Sequence, residues 1–310
     1  MTMLRALRKR PYIYFILPGF VIYSLLVIYP IFAAVGISLY KWNGISPKVF
    51  VGLQNYVQLF SDTTLVSQFI KALSNSLILF VLTTCIQIPL QIFVAYTIYN
   101  KVKGSRFFKV AIFSPQFIST PVIVFMFSLI LDANFGVFNK AMQKLGFTSL
   151  VKPWMGLPEY GIFIVYGMLS WAGIGVGMIL FLGAMNMISK ETIESSYMDG
   201  AGYWRRLLYI VIPQIRVTIL NLVLLSYIFS LTIFDFSYIL GGVSGGVNQS
   251  VDVMSLFFYR VAFGDNNPIG GSHGENTMGM GTTIAVVLFA LIFVLALIQV
   301  LYTYRHKKEG

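Results

Sequence analysis

The sequence predicts an all-α integral membrane protein with six transmembrane helices and both termini in the cytoplasm. Three observations carry that expectation. Of the 310 residues, 57% are hydrophobic and only 11% charged, too apolar a balance for a soluble domain of ordinary make-up. Six apolar runs are each long enough for a bilayer core about 30 Å thick, which takes roughly 20 helical residues. The Lys and Arg residues, finally, fall unevenly on the loops of the two sides. A net charge of +11 would suit a nucleic-acid binder, yet the basic residues stand in short groups beside apolar runs. That arrangement is the one topology signals take, and no nucleic-acid partner is expected.

The first run, 12–40, follows Arg5, Arg8, Lys9 and Arg10. Its basic start and Ala33-Ala34 imitate a secretory signal, but it is about twice as long as a signal core and reads as a retained anchor. Pro18 and Pro30 should kink it or mark its ends. The loop Lys41–Lys71 leads to the second run, 73–99, with Pro89 inside it. Lys101, Lys103, Arg106 and Lys109 follow, and then a third run, 110–131, punctuated by Pro115 and Pro121. A polar loop with Asp132, Lys140, Lys144, Lys152 and Glu159 separates it from the fourth, 160–187. There Gly173 and Gly177 form a GxxxG pair, which lets helix backbones approach closely. The fifth run, 217–240, and the sixth, 279–302, flank a glycine-rich loop, Gly241–Met278. The whole of 1–310 reads as one transmembrane domain.

Orientation follows from the 22 basic residues. The side holding both termini receives four before the first run, four after the second, four at Lys190, Arg205, Arg206 and Arg216, and three in the tail. Seven fall on the opposite loops, so the bias places both termini and the 190–216 stretch inside. Cys85 stands alone in an apolar run, and His273 and His306 are isolated, so neither a disulfide framework, a metal cluster nor a catalytic set is expected. No G-x-x-x-x-G-K-[ST] occurs, so no nucleotide site is expected on this chain.

The stretch 190–216 is the one long polar interruption of the second half. Lys190–Met198 can form a short amphipathic helix, and Gly200 and Gly202 permit a sharp turn after it. Asp199 suits a cap or turn, and Pro213 is expected to disfavour helix at Ile212 and so separate this element from the fifth run. An ordinary solvated loop would need no glycine or proline at these offsets. Glu194-Ser195-Ser196, Asp199-Gly200-Ala201 and Ile210-x-Ile212-Pro213 resemble the EAA motif of ABC importer permeases, with two serines in place of the usual alanines. Phe50-Val51-Gly52-Leu53-Gln54-Asn55-Tyr56, Gly104-Ser105-Arg106-Phe107-Phe108 and Leu182-Gly183-Ala184-Met185-Asn186 extend the resemblance to the carbohydrate-type, maltose-transporter class. Gly241-Gly242-Val243-Ser244-Gly245-Gly246 departs from the Thr-Gly-Gly-Pro that many relatives carry after the fifth helix.

The resemblance implies an ABC importer permease fold with the 190–216 segment coupling to an ATPase subunit. Glu194, Ser195, Ser196, Asp199, Gly200, Ala201 and Pro213 would carry that contact. It further implies a second permease subunit, by family pattern a heterodimer, two ATPase subunits that bind the ATP and Mg, and an extracytoplasmic solute-binding protein. No cofactor is expected on this chain itself. The setting would be the cytoplasmic membrane of a bacterium or archaeon. For a sugar passing near the midplane, Ser226 would lie about 14 Å inside, with Ser230 and Phe234 on the same face at i+4 and i+8. Trp171 and Gly175 fall at the middle of the fourth run, a ring to stack and space beside it. The plainer alternatives are hydroxyls bonded to their own helix and a tryptophan packed on a neighbour. Asp235 lies about 27 Å along, near the outer boundary, where a surface carboxylate is the simpler reading and an ion site for a secondary transporter the alternative.

Overall fold

The computed structural model describes residues 12–264 and 276–306. Arg5, Arg8, Lys9, Arg10, His273 and the tail residues Lys307 and Lys308 lie outside the described residues. Helices α1 (Tyr12–Tyr23) and α2 (Tyr29–Ile37) join through a π turn, Ser24–Ile28, and a hairpin of β1 (Tyr40–Lys41) and β2 (Val49–Phe50) follows. Helix α3 (Gln54–Ser61) precedes α4 (Thr63–Leu82), which a second π turn, Thr83–Gln87, joins to α5 (Ile88–Tyr99). Then come α6 (Ser105–Phe113), α7 (Thr120–Ile130), α8 (Val137–Lys144) and α9 (Gly161–Asn186). The polar excursion contributes α10 (Lys190–Met198) and α11 (Tyr203–Arg206). The remaining helices are α12 (Arg216–Thr232), α13 (Asp235–Gly241), α14 (Met254–Phe263) and α15 (Thr277–His306).

Among the described residues five helical stretches are long and apolar enough to cross a membrane: Phe15–Ile37, Thr63–Tyr99, Pro158–Asn186, Arg216–Gly241 and Thr277–Thr303. A sixth arises if Ser105–Phe117 and Thr120–Ile130 count together, but they meet at 102°. The third run is therefore not one straight helix over 110–131. Ile118 and Ser119 are extended, and Pro115 and Pro121 each sit in the first turn of the helical piece they begin, where a missing N–H costs nothing. The second run begins at Thr63 instead of 73, and the first helix ends at Ile37 instead of 40.

Three prolines share one device. Pro30, Pro89 and Pro213 each follow a five-residue π turn by two positions, after Ser24–Ile28, Thr83–Gln87 and Leu207–Val211. A proline ring collides with the carbonyl four residues back and offers no N–H. Widening the preceding turn by one residue relieves the collision and lets the rod continue.

The described residues gather into two compact units, those within 1–66 and 258–289 and those within 67–257 and 290–310. In the first, buried Asn55 donates to the carbonyls of Ser38 and Tyr40, at 2.7 and 3.0 Å, and accepts from Asn276 at 2.8 Å. Asn276 in turn accepts from the Trp42 N–H, so side-chain amides pin the hairpin to the start of α15. In the second unit the core runs along α9: Met178, Phe181 and Met185 pack with Ile92, Leu207 and Val211. Gly175 lets α6 approach, since a Cβ there would fall 2.6 Å from the Ile112 carbonyl oxygen. Gly177 is filled by the Gln91 side chain, whose amide donates to the Gly173 carbonyl at 3.2 Å. The GxxxG pair thus seats Gln87 of the π turn and Gln91 of α5 within this chain. Asn75 and Ser76, polar and buried in α4, hold a turn: Asn75 donates to the carbonyls of Gln249 and Asp252, and Ser76 accepts from the Met254 N–H.

Candidate functional site

Helix α10 occupies the bounds expected for it. Ser189 caps its start, accepting from the Thr192 N–H at 3.3 Å, and Glu191 lies in the first turn, where a carboxylate suits the helix dipole. At the far end the Gly200 N–H reaches the Tyr197 carbonyl (3.1 Å) and the Ala201 N–H reaches that of Ser196 (3.0 Å). This is a Schellman cap, and it puts Gly200 at φ +71°, the left-handed region that a side chain resists. Asp199 is the last residue before that turn.

The helix has one anchored face. Ile193 packs on the α9 core and Ser196 is buried, while Glu191, Glu194, Ser195, Tyr197 and Met198 are exposed. Met198 is 89% exposed. The segment that follows is clamped to α5. The Tyr203 ring lies 4.6 Å from that of Tyr96, and its hydroxyl bonds Thr97 Oγ1 at 2.9 Å. Trp204 stacks on Phe93 at 5.7 Å with the planes 11° apart. Arg206, 7% exposed, sets its guanidinium carbon 3.6 Å from the centroid of the Tyr197 ring, and its Nε lies 3.5 Å from the Tyr96 hydroxyl. With the arginine buried but the Tyr197 ring half-exposed, such a contact contributes about 0.5–2 kcal/mol.

The expectation at Pro213 is corrected. Ile212 is helical, at φ −57° and ψ −45°, because the π turn Leu207–Val211 accommodates the proline. Separation from α12 comes instead at Ile215, at ψ 10°. Pro213 itself is exposed.

The residues expected along a translocation face do not form one stripe. Ser226 donates to the Val223 carbonyl and Ser230 to that of Tyr227, both at 2.8 Å, so both hydroxyls serve their own helix. Phe234 is not continuous with them: Ile233 is extended (ψ 135°), α12 ends at Thr232, and the Phe234 ring stacks on Tyr238 at 4.9 Å. Trp171 is 36% exposed and meets Phe127 edge-on at 6.0 Å. Gly175 is a point of helix contact, not spare room. Asp235 is exposed in the first turn of α13.

Reading the sequence missed Arg206, Tyr96, Phe93 and Tyr197, for Arg206 counted there only as a topology charge. The available signal was the spacing of Phe93, Tyr96 and Thr97, which puts them on one face at the end of α5 opposite an aromatic-Trp-Arg-Arg run. In the polar loop, buried Asn139 donates to the Lys152 carbonyl at 2.9 Å and accepts from Trp154 Nε1 at 2.8 Å. Lys152 donates to the Tyr160 hydroxyl at 2.9 Å, a bond that holds its ammonium above the usual lysine value. No group of three His, Cys, Asp or Glu that would hold a metal occurs among the described residues.

A set of apolar spans carrying a capped surface helix keyed to the core defines a multi-pass membrane component. Residues 87–308 match the family described as the binding-protein-dependent transport system inner membrane component, and the chain belongs to that family, a transport component and not an enzyme. It is 30% identical over 302 residues to a probable ABC transporter permease protein, YurN, of Bacillus subtilis (strain 168), covering 96% of this chain and 97% of that one. To the lactose transport system permease protein LacF of Rhizobium radiobacter it is 27% identical, over 95% of this chain and 94% of the relative. Its fold matches a chain of the bacterial alginate ABC transporter solved in complex with alginate pentasaccharide-bound periplasmic protein, at a TM-score of 0.78 and 21% identity over 96% of each chain.

Proposed function

We propose that this chain is a permease subunit of an ATP-driven, binding-protein-dependent importer of sugars, with oligosaccharides the favoured cargo. It forms half of the translocation pathway in the cytoplasmic membrane of a bacterium or archaeon. The observation that carries this reading is the geometry of α10: a helix capped at both ends, anchored by Ile193 and Ser196, with Glu194, Ser195 and Met198 turned outward. An exposed helix rigidly joined to the core is what a moving ATPase subunit needs to push against. Glu194, Ser195, Asp199, Gly200 and Ala201 form its docking surface, the buried Ser196 seats the helix, and the exposed Pro213 lies just before the break at Ile215 that closes the segment. The charge bias of the loops supports a cytoplasmic position for it. ATP and Mg bind on the ATPase pair.

The sugar reading is supported by the lactose relative and the alginate likeness. A second, related permease completes the pathway, and an extracytoplasmic solute-binding protein delivers the sugar. Trp171, with its ring part-exposed in α9, remains the candidate to stack on a sugar, whereas Ser226 and Ser230 would reach one only by leaving their backbone partners. The test is gentle extraction of a tagged chain from its native membrane. Recovery of a second permease chain and an ATPase, with ATP hydrolysis stimulated by sugar-loaded binding protein, is expected. A chain that purifies alone and drives ion-dependent uptake after reconstitution would overturn the reading.

A further inference from the structure

Arg206 is buried, yet among the described residues no carboxylate pairs with it. Its guanidinium carbon lies over the Tyr197 ring of α10 and its Nε reaches the Tyr96 hydroxyl of α5, so one side chain bridges the surface helix and a membrane span. A buried cation without a counter-ion is costly unless its surroundings are arranged to receive it. Here they are. The Tyr96 ring is also packed by Tyr203, 4.6 Å away, and by Tyr99, 6.3 Å away, and Trp204 stacks on Phe93 one turn earlier in α5. Ile193 and Ser196 seat the inner face of α10 on the core. The Arg206–Tyr197 contact adds a hold at the C-terminal end of the helix, from a side chain that also reaches α5.

We propose that Arg206 is the positioning residue that makes α10 and the end of α5 move as one body, so that displacement of the surface helix is delivered to the second membrane span. This rests on the importer reading. Its specific content is the route, through Tyr197, Arg206 and Tyr96, and not merely through the chain connection to α12. An arginine suits the task where a lysine does not, because a planar guanidinium stacks on a ring over its whole face.

The test uses the assembled complex with its ATPase subunits and binding protein, reconstituted in vesicles, and reads sugar transported per ATP hydrolysed. Arg206→Met keeps volume and removes the buried charge, a change that buried ionic sites often tolerate without loss of folding. Arg206→Met and Tyr197→Leu are expected to assemble normally and to lower the transport-to-hydrolysis ratio about fivefold or more, the low end of ordinary coupling strengths. Tyr197→Phe, which keeps the ring, is expected to retain the ratio, and Arg206→Lys to fall between. Amide hydrogen exchange across α10 should accelerate in Arg206→Met and not in Tyr197→Phe. A wild-type ratio in both Arg206→Met and Tyr197→Leu would overturn the proposal. So would losses of uptake and hydrolysis in equal proportion, tracking the amount of assembled complex. Failure of the unaltered chain to yield ATP-driven uptake would instead remove the importer reading itself.

Discussion

Two polar excursions leave the second unit, 132–160 and 190–216, and they are stabilised in opposite ways. The first folds on itself: Asn139 gathers the carbonyls of Asp132, Ala133 and Lys152 and receives the Trp154 N–H, all within the excursion. The second is held from outside, by Phe93, Tyr96 and Thr97 of α5 and by the α9 core. A loop whose Asn139 bonds close on itself passes little of what touches its surface through them. A stretch whose partners belong to a membrane-spanning helix cannot shift without moving that helix. Polarity alone would not distinguish the two loops. Their bonding partners do.

The largest expected break in this contrast comes at Gly200. Leucine there would meet open space but would have to adopt φ +71°, at a cost of about 1–2 kcal/mol, and the last turn of α10 would re-form differently. Gly200→Leu is expected to abolish energised uptake while leaving membrane insertion intact; full uptake would show that the Schellman turn does not serve coupling. Next is Asn139→Ala, which removes the partner of the Trp154 side-chain N–H and of three carbonyls. An unsatisfied buried group costs about 1–3 kcal/mol, so protease nicking of 132–160 should rise roughly five- to a hundredfold. The transport-to-hydrolysis ratio should not change, and a fall in it would mean that this loop too carries displacement. Smaller still is Ser189→Ala, which removes the N-cap of α10 at a cost of about 1 kcal/mol. The exposed first turn should fray, seen as faster amide exchange at Glu191 and Thr192, with uptake reduced only a few-fold.

Which parts of this could be read from the sequence follows from how local their causes are. The bounds of α10 were legible because Ser189, Asp199 and Gly200 act within one turn of the helix they end. The spans were legible because a bilayer sets their length. The 102° bend after Phe117 was not, since Pro115 and Pro121 announce helix starts but carry no angle. The break at Ile233 has no proline or glycine to mark it, and the stripe drawn through Ser226, Ser230 and Phe234 assumed a helix that stops at Thr232. Arg206 was opaque for another reason. A charge in a polar stretch is exposed unless something covers it, and its cover comes from Tyr96, 110 residues earlier.

The smallest effect is expected where the sequence departs from its own family resemblance, at Ser195 and Ser196. Both hydroxyls turn back to their own helix, Ser195 to the Thr192 carbonyl at 3.1 Å and Ser196 to that of Ile193. Ser195 is exposed and Ser196 buried, so neither hydroxyl is needed for the face the other occupies. Serine in a helix interior competes with the backbone ladder, and alanine forms helix better by up to about 0.5 kcal/mol per site. The double variant Ser195→Ala, Ser196→Ala is therefore expected to slow amide exchange in α10 slightly and to leave coupled uptake within about twofold of wild type. If uptake fell tenfold while exchange slowed, the outward Ser195 hydroxyl would be bonding a partner directly, and α10 would act through a specific polar contact as well as through its shape and its anchorage to α5.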